Sequence, residues 1–262
     1  NSGENVLLCD CRFDLVDPLM GRKSYEESHI PGAIYVDLDK DLSGAKNGTN
    51  GRHPLPSPEA WAKTKARLGI SPNTLVVAYD KQGSVYASRL WWMLKATGHA
   101  NVRVLDGGLD AWNGPMGSIP RAPTPCNQPI APMPYAGLVL VDEVVANLET
   151  KKNKIIDARG EDRFRGQNET LDPVGGHIPG AMNRFFKNNL NATAFKTPEQ
   201  LFKEFSESLG TTKPSEVIHQ CGSGVTACHN ILAMELAGFK GSRLYAGSWS
   251  EWCADPKRPV EL

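Results

Sequence analysis

Cys221 opens the segment Cys221-Gly222-Ser223-Gly224-Val225-Thr226. The residues ahead of it, Glu216-Val217-Ile218-His219-Gln220, read as a short buried strand. The residues behind it, Ala227 to Leu236, carry Ile231, Leu232, Met234 and Leu236 at helical spacing. A thiol at a strand-to-helix turn faces the positive end of a helix dipole and several unpaired backbone N–H groups. Both favour the thiolate, which is the reactive form of cysteine. Two glycines let the backbone curl close around the sulfur with no Cβ in the way. Such a cysteine suits covalent, nucleophilic catalysis. A buried structural cysteine is the plainer reading of any single Cys, but it does not need Gly-Ser-Gly-Val-Thr after it.

The rest of the chain must hold that turn in place. Its 262 residues suffice for one large domain or two ordinary ones. Twenty-nine acidic and 29 basic residues cancel, which argues against a nucleic-acid or membrane-surface partner. No apolar run approaches the roughly 20 residues that span a bilayer, and no charged start precedes an apolar core as in a signal peptide. The chain begins at Asn1 without a methionine, which leaves room for a targeting segment removed from its start. Cysteines 9, 11, 126, 221, 228 and 253 do not form a disulfide framework. A reducing compartment, the cytoplasm, is the expectation. Cys9-Asp10-Cys11 is too tight for a zinc knuckle and has no second pair, so no metal is expected.

The chain is written twice. Ser28-His29-Ile30-Pro31-Gly32-Ala33 recurs as Gly176-His177-Ile178-Pro179-Gly180-Ala181. An Asp-x-Arg precedes each, Asp10-Cys11-Arg12 and Asp157-Ala158-Arg159. Thr74 to Tyr79 matches the strand before Cys221, and Asp106-Gly107-Gly108-Leu109 matches Ala246-Gly247-Ser248-Trp249. Four matches in one order indicate a tandem duplication, with each copy a domain. Apolar strands (74–79, 102–105, 216–220, 243–245) alternate with helical stretches (85–97, 226–238). That pattern predicts two α/β domains, each a parallel sheet flanked by helices. We place the first domain at 1–114, a linker at 115–136, where seven prolines stand from Pro115 to Pro134, and the second domain at 137–262. Ligands of such sheets bind beyond the carboxyl ends of the strands, where Cys221 sits. In the first copy Asp80 takes the place of Cys221. The first domain is therefore expected to be inactive and to supply a wall, with the cleft between halves as the pocket.

These features together resemble the two-domain rhodanese family of sulfurtransferases, over roughly residues 5–255. The small, neutral CGSGVT loop is similar to the branch of the family that uses 3-mercaptopyruvate. The resemblance implies a sulfurtransferase that needs no cofactor and whose partners are a small-molecule sulfur donor and a thiol, cyanide or thioredoxin-like acceptor. It implies that Cys221 carries the sulfur as a persulfide, held by the backbone of Gly222, Ser223, Gly224, Val225 and Thr226. Arg163 falls where the family keeps an arginine for the substrate carboxylate, and a guanidinium can grip a carboxylate with two hydrogen bonds; Arg165 is the second candidate. Asp39 and His53 match an aspartate and a histidine that join Ser223 in a proton-relay triad. His29 and His177 are read as turn-holding residues, and Asp157–Arg159 as a structural pair.

One departure stands out. The branch has a second carboxylate-binding arginine shortly before the second HIPG, and Leu171-Asp172-Pro173-Val174-Gly175-Gly176 contains none. Arg165 or Arg52 takes its place, or the substrate differs, which keeps thiosulfate open as the donor. A tyrosine phosphatase would carry an arginine at the sixth position after the cysteine, where this chain has Ala227. A non-catalytic rhodanese-like binding module would be expected to lose the cysteine, which this chain retains.

Overall fold

The computed structural model describes residues 5–262, which group into two compact units. The first comprises residues up to 44, 55–136 and 192–194. The second comprises 45–54, 137–191 and 195–262. The division is not a single cut: the segment 45–54, with Arg52 and His53, clusters with the second unit.

In the first unit a four-stranded sheet has the order β2-β1-β3-β4, with β1 (Val6–Asp10), β2 (Ile34–Tyr35), β3 (Leu75–Tyr79) and β4 (Val102–Val104). All pairings are parallel, with Cys9 opposite Ala78 and Ala78 opposite Val104. Its helices are α1 (Met20–Glu27), α2 (Pro58–Leu68) and α3 (Val85–Ala96). Local chemistry sets the ends of α2. Ser57 accepts the Ala60 N–H, Pro58 sits in the first turn, and Gly69 takes the left-handed conformation at the end. The proline-rich stretch is largely irregular and runs along this unit. Gly117 pairs with His29, the Arg121 N–H donates to the Tyr25 hydroxyl, and the Cys126 N–H donates to Ala66 O. Prolines remove donors, and the N–H groups left between them find acceptors here.

The second unit holds α4 (Val141–Thr150), α5 (Glu161–Phe164), α6 (Pro198–Leu209), α7 (Thr226–Leu236) and α8 (Ser248–Trp252). Its strands, in chain order, are β5 (Leu138–Val139), β6 (Lys154–Asp157), β7 (Met182–Asn183), β8 (Leu190–Asn191), β9 (Ala194–Phe195, whose first residue clusters with the first unit), β10 (Val217–Gln220) and β11 (Arg243–Tyr245). Five of them form a parallel sheet in the order β5-β11-β10-β6-β7. Side chains of a strand alternate between faces, and β6 shows the consequence. Ile155 packs with Val139, Ile218, Tyr245, Trp249 and Trp252, whereas Ile156 packs with Leu201, Phe205, Val217, Ala233 and Met234. Both faces are therefore covered, and each buried large side chain contributes about 1.5–3 kcal/mol. Helix α6 starts on a Thr197–Gln200 capping box and buries Leu201, Phe205 and Leu209 at four-residue spacing. Helix α7 is buried on every side from Ala227 to Met234, which fixes the helix behind Cys221.

Candidate active site

Strand β10 ends at Gln220 and α7 begins at Thr226, so residues 221–225 turn the chain from sheet to helix. Cys221 lies in that turn and is 2% exposed. Its Sγ accepts a hydrogen bond from the Gly224 N–H at 3.1 Å. Gly224 has φ +76°, and a Cβ there would lie 2.3 Å from Ala246 O. Only glycine fits this position without strain. The first turn of α8 clamps the loop. The Trp249 N–H donates to Cys221 O and the Ser250 N–H to Gly222 O, both at 2.9 Å. The Cys221 N–H donates to Ser248 Oγ at 3.1 Å, and that hydroxyl donates to Tyr245 O at 2.9 Å.

Two guanidinium groups stand over Gly222. A Cβ on this residue would lie 2.7 Å from Arg52 Nη2, and 3.5 and 3.7 Å from Arg163 Nη2 and Nη1. Arg163 is held by Glu169, with Nε on one carboxylate oxygen and Nη2 on the other, each at 2.9 Å. Arg52 Nη1 donates to Asp172 Oδ1, and Arg163 Nη2 reaches Asp172 Oδ2 at 3.3 Å. Burial raises the Asp172 carboxyl above its ordinary range, against the pull of Arg52. Hydrogen bonds from Leu171 N–H and Arg163 outweigh burial at Glu169 and hold it below its ordinary range. Arg52 Nη2 and Arg163 Nη1 have no hydrogen-bond partner among the described residues. Beside them, His53 Nδ1 lies 2.8 Å from Ser223 Oγ, with both residues buried. A cysteine thiol, two guanidinium groups and a histidine–serine hydrogen bond thus gather around the 221–225 turn.

A rhodanese-like domain model matches residues 1–115 and again 140–255. The chain belongs to the rhodanese-like domain family. It is 44% identical to a Pseudomonas aeruginosa protein described as a probable 3-mercaptopyruvate sulfurtransferase, covering 99% of this chain and 93% of that one. It is 39% identical to the thiosulfate sulfurtransferase of Bos taurus, covering 88% and 79%. The 3-mercaptopyruvate sulfurtransferase from Leishmania major superposes with a TM-score of 0.82 at 30% identity, over 97% of this chain and 72% of that one. The protein is a rhodanese-type sulfurtransferase.

The other residues singled out in the sequence take definite places in this rhodanese. Arg165 does not join the loop: its guanidinium pairs at 2.5 Å with Glu161, one helical turn back, and both are exposed. Arg52 stands over Gly222 in its stead. Asp39 belongs to the first unit, where its N–H donates to Asp37 Oδ1. Val225 immediately precedes α7 and Thr226 opens it. Arg159 makes a two-pronged pair with Asp157 and caps Gly176 O at 2.7 Å, while Trp249 packs beneath its guanidinium in the core. The Cys228 thiol donates to Gly224 O at 3.3 Å and so braces the loop. His177 stacks on Phe164 and bonds its carbonyl, as His29 does with Tyr25.

Sequence reasoning passed over Ser248 and Glu169. Ser248 has φ +56°, a strained conformation for a residue with a side chain, and is fully buried against the Cys221 N–H. Its signal was present in the repeat, where the matching position is Gly108. Glu169 gave no local signal, because an acidic residue on a polar loop reads as solvated surface.

Proposed function

We propose that this sulfurtransferase takes sulfur from 3-mercaptopyruvate through a Cys221 persulfide and releases pyruvate. The observation that carries this reading is the pair of unoccupied guanidinium edges, Arg52 Nη2 and Arg163 Nη1, meeting over Gly222 beside the nucleophile. A carboxylate gripped there by two arginines points the rest of a three-carbon thiol at Sγ. The Cys221 thiolate attacks the donor sulfur and forms an S–S bond. The C–S bond breaks, and its electron pair passes to pyruvate enolate. The enolate takes one proton, supplied through Ser223 Oγ and His53, and becomes pyruvate. An acceptor thiolate then attacks the outer sulfur and restores the Cys221 thiolate; cyanide or a thioredoxin-like protein thiol would serve equally. Negative charge on the outer sulfur is stabilised by loop N–H groups at the start of α7.

Thiosulfate is the second reading, favoured by the similarity to the bovine thiosulfate sulfurtransferase. All six cysteines are free, which fits a reducing compartment such as the cytoplasm. No helix among the described residues is long and apolar enough to cross a membrane. A side-by-side assay with cyanide as acceptor tests the reading, following thiocyanate and pyruvate. A higher kcat/KM for 3-mercaptopyruvate, lost in Cys221→Ser, supports it. A higher value for thiosulfate overturns the donor while leaving the nucleophile in place.

A further inference from the structure

We infer that Asp172 is a specificity-determining residue that restricts the donor subsite to monoanions carrying one carboxylate and a neutral remainder. The inference rests on the donor reading above and deepens it. Its basis is the way charge is shared over Gly222. Arg52 and Arg163 supply two positive charges, and Glu169 and Asp172 supply two negative ones; behind them the buried Arg159–Asp157 pair adds one of each, with Arg159 Nη1 reaching Glu169 at 3.4 Å. The first four side chains are tied together by hydrogen bonds. Glu169 and Asp172 are nearly buried, at 4% and 3% side-chain exposure, whereas Arg52 and Arg163 keep 29% and 21%. The acids are therefore fixed at the back, and the guanidinium edges that remain accessible face the loop.

Asp172 does two things in this cluster. It takes Nη1 of Arg52 and thereby presents Nη2 toward Gly222. It also removes the positive surplus that two bare arginines would offer. A 2-oxo acid thiol brings one negative charge to a neutral cluster of directed donors and needs no more than a two-pronged grip. A dianion such as thiosulfate brings a second charge, close to two buried carboxylates and with no cation left over to meet it. Geometry favours the first donor, and net charge disfavours the second.

The role is one of positioning and selection, so its signature is a ratio between donors. Asp172→Asn keeps the shape and one acceptor oxygen while removing the charge. In this variant kcat/KM for thiosulfate should rise at least about tenfold relative to that for 3-mercaptopyruvate, chiefly through a lower KM for thiosulfate. Asp172→Glu should restore the wild-type ratio. Inhibition gives a second readout that does not depend on turnover. Sulfate, a dianion, should inhibit Asp172→Asn more tightly than wild type by a similar factor, while inhibition by pyruvate changes less. A donor ratio and a sulfate inhibition constant that stay at wild-type values in a folded Asp172→Asn protein overturn the role of Asp172. A wild type that prefers thiosulfate overturns the donor reading instead, whatever the variant does.

Discussion

Asp80 and Cys221 directly follow an inner strand in each of two sheets built from the same repeat, and each stands five residues before a helix, at Val85 and at Thr226. The Asp80 carboxylate is fully buried and accepts four backbone hydrogen bonds. Gln82 and Ser84 N–H bind one oxygen, and Tyr86 and Ala87 N–H bind the other, at 2.8–3.0 Å. Burial raises this carboxyl above its ordinary range, and the four donors pull it back down. The corresponding N–H groups in the second unit belong to Ser223, Val225, Ala227 and Cys228, yet the Cys221 sulfur takes its hydrogen bond from Gly224. One loop is an anion cradle filled permanently by its own side chain. The other holds a cysteine in the same place, whose sulfur takes the Gly224 N–H while the Cys228 N–H bonds Val225 O.

The framework around the two loops repeats closely. Arg12 grips Asp10 and caps Ser28 O as Arg159 grips Asp157 and caps Gly176 O. His29 and His177 hold equivalent turns. Several of the differences lie in the loops themselves and in the residues that bond to them. Lys81 is replaced by Gly222, Gln82 by Ser223, and Gly108 by Ser248. Gly108 and Ser248 share a positive φ, +57° and +56°. A Cβ at Gly108 would lie 2.3 Å from Asp80 O, whereas Ser248 uses its side chain to hold the Cys221 N–H. A duplicated scaffold has thus kept its bracing and diverged at the loop contents.

Exchanging the two key residues probes this contrast most severely. Cys221→Asp should fold with an unchanged or higher melting temperature, because the incoming carboxylate finds the N–H groups that Asp80 finds. Its sulfur transfer should fall at least about 10³-fold. Asp80→Cys in a Cys221→Ser background should gain no activity and lose about 3 kcal/mol of stability in urea unfolding, as buried donors lose their acceptor. Measurable thiocyanate from that double variant would show that Asp80 alone inactivates the first loop.

A smaller effect separates backbone shape from chemistry. Gly224→Ala should cost about 2–3 kcal/mol, since it meets both a positive φ and the Ala246 carbonyl. A melting temperature within a degree of wild type would contradict the clamp. Gly222→Ala acts differently. The atom it meets is the end of the flexible Arg52 side chain, so stability should stay within about 0.5 kcal/mol while the donor KM rises about tenfold. A change confined to kcat would place the arginines elsewhere in the reaction.

The mildest test concerns the strand beneath the loop. His219 lies where β3 has Ala78, is fully buried, and burial pushes its pKa down to about 3. An unfolded histidine takes a proton below about pH 6.5 and the folded one does not until near 3. Stability from this site is therefore complete above pH 6.5 and falls as pH drops toward 3, by at most about 1.4 kcal/mol per unit. His219→Ala should flatten the pH slope of urea unfolding between pH 7 and 5. An identical slope would assign the acid sensitivity to other groups.

The amino-acid order alone was enough for whatever depends on neighbours along the chain. The β10–loop–α7 unit was legible because strand, glycines and helix are consecutive, and so were the duplication, the Asp-x-Arg braces and the turn histidines. Short-range periodicity and backbone sterics encode such features directly. The polar site was not legible in this way. His53 meets Ser223 across 170 positions and Arg52 meets Asp172 across 120. Residues 45–54 cluster with the second unit although the repeat assigns them to the first copy. By charge alone Asp172 is an unfavourable neighbour for an anion, and its charge has a different meaning once two guanidinium groups share it. Arg163, on α5, and Arg165, which follows its last residue, part ways because one finds the buried Glu169 and the other the exposed Glu161. Electrostatic partners are chosen by distance in space and by burial, and both come into being when the chain has folded.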